Sequence, residues 1–204
     1  MRIGIEVNGV LRNTLGKLEQ TYQKYLIDKT EGIEYEDNFK YEITHPIENI
    51  EVKKHFSFRD DNEMYSFLYE EFPMEIFGHS QSSEYSTFNY LNEIYTNLRD
   101  EHELLIVSDE IGKSKPATLF FLSKFGCLVE KIKFYSNITI NSMWDEVDIL
   151  LTSNPSLLLE HPYDKKIIKF ETEYNKNVES FHVINTLRDF EEKLKQIENV
   201  KSIE

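Results

Sequence analysis

A chain of 204 residues with 40% hydrophobic and 13% aromatic content can build a real core, which excludes global disorder and fits one domain with room for a small inserted lobe. The formal net charge of −14 repels nucleic-acid backbones and anionic bilayers, so neither is expected as a general partner. A single cysteine, Cys127, excludes an intramolecular disulfide and any cysteine-based zinc site.

The first fourteen residues read as strand, turn and helix start. Ile3 to Val7 is a short apolar run, and Asn8-Gly9 is a turn signal. This strand delivers Glu6 and Asn8 to its carboxyl end, where open α/β sheets bind ligands. Arg2 and Glu6 interrupt the apolar run, so no secretory leader is expected, and no stretch approaches the ~20 apolar residues of a membrane span. A cytoplasmic protein follows as the expectation. Leu15, Leu18, Tyr22, Tyr25 and Leu26 then share one helical face, with Asn13 or Thr14 as cap.

From about Glu31 to Ser83 the pattern changes. Glu34 to Thr44 is acidic, aromatic and roughly alternating, which suits strands, and His45-Pro46 marks a turn. Asp60 to Glu63 has capping-box spacing ahead of Met64, Phe67 and Leu68, and Pro73 ends or kinks that helix. Gly78 to Ser86 is polar and loop-like.

An α/β rhythm resumes with Phe88, Leu91, Tyr95 and Leu98 on one helical face. Glu103 to Val107 is a strand ending at Ser108-Asp109-Glu110, and Gly112 to Pro116 is a lysine-bearing loop that opens a helix over Ala117 to Phe125. Strands follow at Lys131 to Tyr135, Val147 to Leu151 and Lys166 to Phe170. Val183, Leu187, Phe190, Leu194 and Ile197 form the stripe of a last helix. Strands alternating with helices predict an α/β fold, a three-layer Rossmann-like parallel sheet. Its core spans residues 1–30 and 85–204, with residues 31–84 inserted as a small lobe.

The order of landmarks carries a resemblance. A strand ends in Glu6-Val-Asn8-Gly-Val, a second ends in Ser108, Lys113 and Lys115 open the next helix, and a later strand ends in Thr152-Ser153. In fold and motif order this resembles the haloacid dehalogenase-like (HAD) phosphohydrolase superfamily, over about residues 1–30 and 85–175. The segment Ile167 to Asn175 looks like the late strand and loop of HAD-type 5′-nucleotidases, and the inserted lobe would correspond to a cap.

That resemblance implies an aspartate nucleophile at the first strand end and a second aspartate two residues on as general acid and base. It also implies a Ser or Thr and a Lys on the phosphate, and acidic residues of the fourth motif on Mg²⁺. This chain departs at three points. Glu6 stands at the nucleophile position with an extra methylene, and a misplacement of ~1 Å can cost ~100-fold in rate. Asn8 stands at the acid/base position and cannot transfer a proton at neutral pH. Thr152 and Ser153 replace the metal-binding carboxylates. Only Ser108 and the lysines match, with Lys115 the better fit because it directly precedes Pro116.

The resemblance therefore implies a catalytically degenerate HAD-like domain without a cofactor, working as a binding, structural or accessory protein in a larger assembly with a protein partner. The Asn-, Lys-, Ile- and Tyr-rich composition suggests an A+T-rich bacterial or phage genome, so a phage particle is a compatible setting. One alternative is an active Mg²⁺-dependent phosphatase or nucleotidase using Glu6. The other is a sensor that holds a small phosphate or nucleotide through Ser108, Lys113 and Lys115 without turnover. The bland readings are that Ser108 caps a turn, that the lysines are solvated, and that Asp109 and Glu110 are exposed neighbours. The histidines show no metal-ligand spacing, and no Walker or dinucleotide-binding loop occurs.

Overall fold

Six short apolar runs pair into one sheet: β1 (Arg2–Glu6), β2 (Glu103–Asp109), β3 (Lys131–Tyr135), β4 (Ile149–Thr152), β5 (Lys166–Phe170) and β6 (Val183–Ile184). The computed structural model describes residues 1–30, 39–47 and 50–201. Strand order is β3-β2-β1-β4-β5-β6, and every neighbouring pair runs parallel. In such an order the connections reverse direction between β1 and β4, and the crevice at their carboxyl ends is the usual ligand position.

The pleat divides side chains between two apolar layers. Ile3, Ile5, Leu104, Ile106, Ile149, Leu151 and Ile168 join one cluster. It is covered by α4 (Thr87–Leu98), α5 (Ser114–Lys124) and α8 (Phe190–Lys201), through Leu91, Phe121 and Leu194 among others. The alternate positions Leu105, Val107, Leu150 and Ile167 join a second cluster. Met143 and Trp144 of α6 (Ile140–Trp144) and Leu157 and Leu158 of α7 (Pro155–Leu159) cover it. The result is a three-layer α/β architecture with helices on both faces of a parallel sheet, as the alternating pattern predicts.

The stretch expected as the inserted lobe packs on α1 (Thr14–Thr30) of the expected core, whose start is capped by Asn13 Oδ1 accepting from the Gly16 amide at 3.1 Å. Leu18, Tyr22 and Tyr25 pack with Tyr41, Phe56, Phe67 and Ile76 into a third cluster. Phe67 meets the rings of Tyr22, Tyr25, Phe58 and Phe72 at centroid distances of 5.7, 5.0, 5.4 and 5.0 Å. Two one-turn helices, α2 (Val52–His55) and α3 (Asp61–Tyr65), lie in this stretch. Asp60 caps α3 by accepting from the Glu63 amide at 2.9 Å, the bond its spacing predicts. The helix then widens into a π-helical turn over Ser66–Glu71, and a second such turn, Met74–Gly78, follows Pro73 and packs against α1 and α5.

Several expectations shift. Val183 belongs to a sixth strand, with Val183 and Ile184 beside Lys169 and Phe170, and not to the last helix. Thr186 accepts from the Arg188 amide at 3.4 Å and starts a 3₁₀ turn, so the helix proper begins at Phe190. Leu187, Phe190, Leu194 and Ile197 of the stripe face one core layer, but in the strand it is Ile184 and not Val183 that joins them, because strand periodicity replaces helical periodicity there. The fourth strand begins at Ile149, not Val147, and α5 begins at Ser114, ahead of Pro116. The strands expected over Glu34 to Thr44 lie partly outside the described residues. Within the described part, Ile43 makes a single antiparallel bridge to Phe56. Among the described residues, no helix is long and apolar enough to cross a membrane.

Candidate functional site

Glu6 ends β1 on the side of the sheet occupied by Val107 and Leu150, because it is in register with Val107. Its side chain is 1% exposed, and both oxygens are engaged. The Tyr135 hydroxyl donates to Oε1 at 3.0 Å, and the Thr152 hydroxyl donates to Oε2. Burial pushes this carboxyl up to about 7, against the lowering effect of the Thr152 and Tyr135 hydrogen bonds.

Ser108 falls one residue past Val107, so the pleat turns it to the opposite face of the sheet. There it joins a second polar knot centred on Arg12, which is fully buried. All five guanidinium N–H groups have acceptors. Nε donates to Thr14 Oγ1 at 3.1 Å, and Nη1 donates to the Phe77 carbonyl at 2.9 Å and Thr118 Oγ1 at 2.5 Å. Nη2 donates to Asn8 Oδ1 at 2.6 Å and to Glu110 Oε1. Glu110 also accepts from the hydroxyls of Thr118 at 2.5 Å and Ser108 at 3.1 Å. Burial raises the Glu110 carboxyl, while the Arg12 charge and these donors oppose the rise. The guanidinium carbon lies 5.1 and 5.3 Å from the ring centroids of Phe77 and Phe121, which complete its enclosure.

A third set of bonds seals the β1 turn. Ser153 Oγ donates to the Asn8 carbonyl at 3.0 Å and accepts from the Tyr174 hydroxyl at 2.7 Å. Asn175 Nδ2 donates to the carbonyls of Ser153 at 2.8 Å and Phe170 at 2.9 Å. Gly9 has φ +78°, and a Cβ there would collide with the Tyr174 hydroxyl and Ser153 Oγ. Glycine is required at this turn both by backbone conformation and by close approach.

The structure thus gathers Glu6, Asn8, Ser108, Thr152 and Ser153 at the carboxyl edge, but in separate knots on the two faces. Lys113 and Lys115 are exposed. Lys113 Nζ pairs with Glu70 at 2.6 Å, and Lys115 Nζ sits 5.7 Å from the Phe134 ring centroid. The expectation that Glu110 is exposed is overturned: it is 1% exposed because Arg12 supplies its counter-charge. Asp109 is exposed to solvent as expected, yet the protein around its carboxyl partly desolvates it, and this, followed by the charge of Glu110, raises its pKa to about 6. Sequence reasoning missed Arg12, Thr118, Tyr135 and Tyr174. The one local signal was a cation following Val10-Leu11, inside an otherwise apolar turn.

Between this edge and the lobe lies a cavity of about 590 Å³, within the range of ~300–1,000 Å³ common for small-molecule sites. Of the predicted site residues, Asn8 lines it, whereas Glu6, Ser108, Thr152 and Ser153 are buried away from it. No protein-family model matches this chain, and no curated protein matches it. Its function is therefore an inference from the geometry.

Proposed function

We propose that this chain is a catalytically degenerate HAD-like domain that serves as a binding or structural component of a larger, protein-containing assembly, with a phage particle as a compatible setting. One observation carries the reading: the sole carboxylate at the nucleophile position, Glu6, is 1% exposed and holds hydrogen bonds on both oxygens. A nucleophile must reach phosphorus, and Glu6 is buried and does not line the cavity.

Three further features support it. The Asn8 amide oxygen accepts from Arg12 and Thr14, and an amide supplies no proton shuttle. The donor set of Glu6, Asn8, Thr152 and Ser153 offers a single carboxylate, already holding the Tyr135 and Thr152 hydroxyls, which does not suit a Mg²⁺ ion that takes carboxylates and waters in octahedral geometry. The Ser108 hydroxyl, which the resemblance would place on a phosphate, donates to Glu110.

The test is turnover of p-nitrophenyl phosphate and a nucleotide panel with Mg²⁺. The expected result is a rate indistinguishable from that of Glu6→Ala; turnover that Glu6→Ala abolishes would overturn the proposal. Co-purification of a tagged chain with a stoichiometric protein from its own cells checks the assembly role.

A further inference from the structure

The cavity under the lobe has two chemistries. Leu15, Leu18, Leu68, Ile76, Phe77 and Phe170 give it an apolar wall, while Glu19, Glu84, Asp109, Glu171 and Glu173 also line it, and no Lys, Arg or His does among the described residues.

Not all of the lining carboxylates are free. Glu171 pairs with Lys169 at 3.1 Å and Glu173 with Lys176 at 2.9 Å, and Glu19 lies 3.6 Å from His45 Nε2 and accepts from Gln23 Nε2 at 3.4 Å. Glu84 is different. Its Oε2 accepts from the Thr186 hydroxyl at 2.9 Å, but Oε1 is buried with no hydrogen-bond partner among the described residues. A buried acceptor left without a donor is costly, and more so when charged. In such a cavity a phosphate or carboxylate ligand meets repulsion from every ionised wall group. A ligand that brings an N–H donor and a positive charge meets attraction. The carboxylates are spread around the wall: among the described residues, no three Asp, Glu, His or Cys groups converge as a metal-ion cluster.

We infer that this cavity takes an organic cation, an ammonium group carried on an apolar or aromatic body, with the ammonium on Glu84 and the body against the apolar wall. The inference rests on the reading of the domain as a binder rather than a catalyst, and it specifies the class of small ligand bound in the cavity that Asn8 alone of the degenerate positions lines. It also parts from the phosphate ligand that the sequence resemblance suggests, because the cavity offers the wrong sign of charge for one.

The experiment titrates the purified full chain with 2-phenylethylammonium, with its neutral isostere 2-phenylethanol, and with the anions phenylacetate and AMP, read by calorimetry and thermal shift. The expected result is saturable binding of the ammonium, about tenfold or more tighter than the alcohol, and no binding of either anion at millimolar concentration. Glu84→Gln should weaken the ammonium about tenfold and leave the alcohol unchanged. Equal binding of ammonium and alcohol, tighter binding of an anion, or no ammonium binding at millimolar concentration would each overturn the inference. So would a folded Glu84→Gln protein with unchanged affinity. The matched ligands on the unaltered chain keep the test decisive if the variant does not fold. Phosphatase turnover would instead strike the non-catalytic reading, so the two failures are told apart.

Discussion

Arg12 and Glu110 stand 98 residues apart in sequence and form an ion pair whose two side chains are both wholly buried. The pair joins the β1 turn to the end of β2 and, through Phe77 and Thr118, to the lobe and α5. Arg12→Met leaves Glu110 buried without its counter-charge, and breaking such a pair costs about 3–5 kcal/mol. Urea denaturation should show that loss. The double variant Arg12→Met/Glu110→Met should recover a large part of it, since apolar replacement of both partners removes the stranded charge. A double variant no more stable than the single one would refute this account.

Glu6 makes stability depend on pH in an unusual direction for a carboxylate. Its folded pKa is raised from 4.5 to about 7, so the folded state favours the protonated form. The associated stability is fully present below pH 4.5 and is lost as pH rises through about 7. The difference corresponds to about 3 kcal/mol by linkage. Asp109, raised from 3.8 to about 6, adds a smaller change of the same sign. Unfolding free energy measured from pH 5 to pH 8 should therefore fall less steeply in Glu6→Gln than in the parent, and the variant should be the more stable at pH 8. Parallel pH profiles would exclude Glu6 as the source.

Gly9 and Tyr174 are in close apposition across the β1 turn. Gly9→Ala should destabilise the protein by about 1–3 kcal/mol, from a left-handed backbone position and a displaced hydroxyl. Tyr174→Phe alone should cost less, about 1 kcal/mol for one hydrogen bond. Combined, the two should cost less than their sum, because removing the hydroxyl relieves the nearer of the two clashes, the one with Ser153 Oγ remaining. Strict additivity in denaturation experiments would show that the contact does not set the cost.

Phe67 is fully buried at the centre of the lobe's aromatic cluster. Phe67→Ala should cost about 3–5 kcal/mol. Because this cluster is built on α1 and the lobe, hydrogen exchange should accelerate most in α1 and residues 52–78 and least in β1, β2 and β4. Uniform acceleration across the sheet would mean that lobe and sheet unfold as one unit.

Much of the sheet was legible locally. β1, β3 and β5 end within a residue or so of their apolar runs, since a run of that length bounded by turn residues has one economical use in an α/β chain. The Asp60 cap and the Gly9 turn were legible for the same reason: both depend on neighbours within a few positions. Helix phase on α5 was not. Starting at Ser114 sends Ser114, Ala117, Thr118 and Phe121 inward, which leaves Lys115 outward despite its place in the motif order.

Residue order alone determined an alternating α/β chain with Glu6 and Asn8 at the end of its first strand, because periodicity and turn chemistry act over short distances. Only the tertiary structure decided that Tyr135 and Thr152 close over Glu6, that Arg12 finds Glu110, and that acidic side chains line the remaining cavity. Those partners come from strands and helices far apart in sequence, and the strand order and the pleat brought them together.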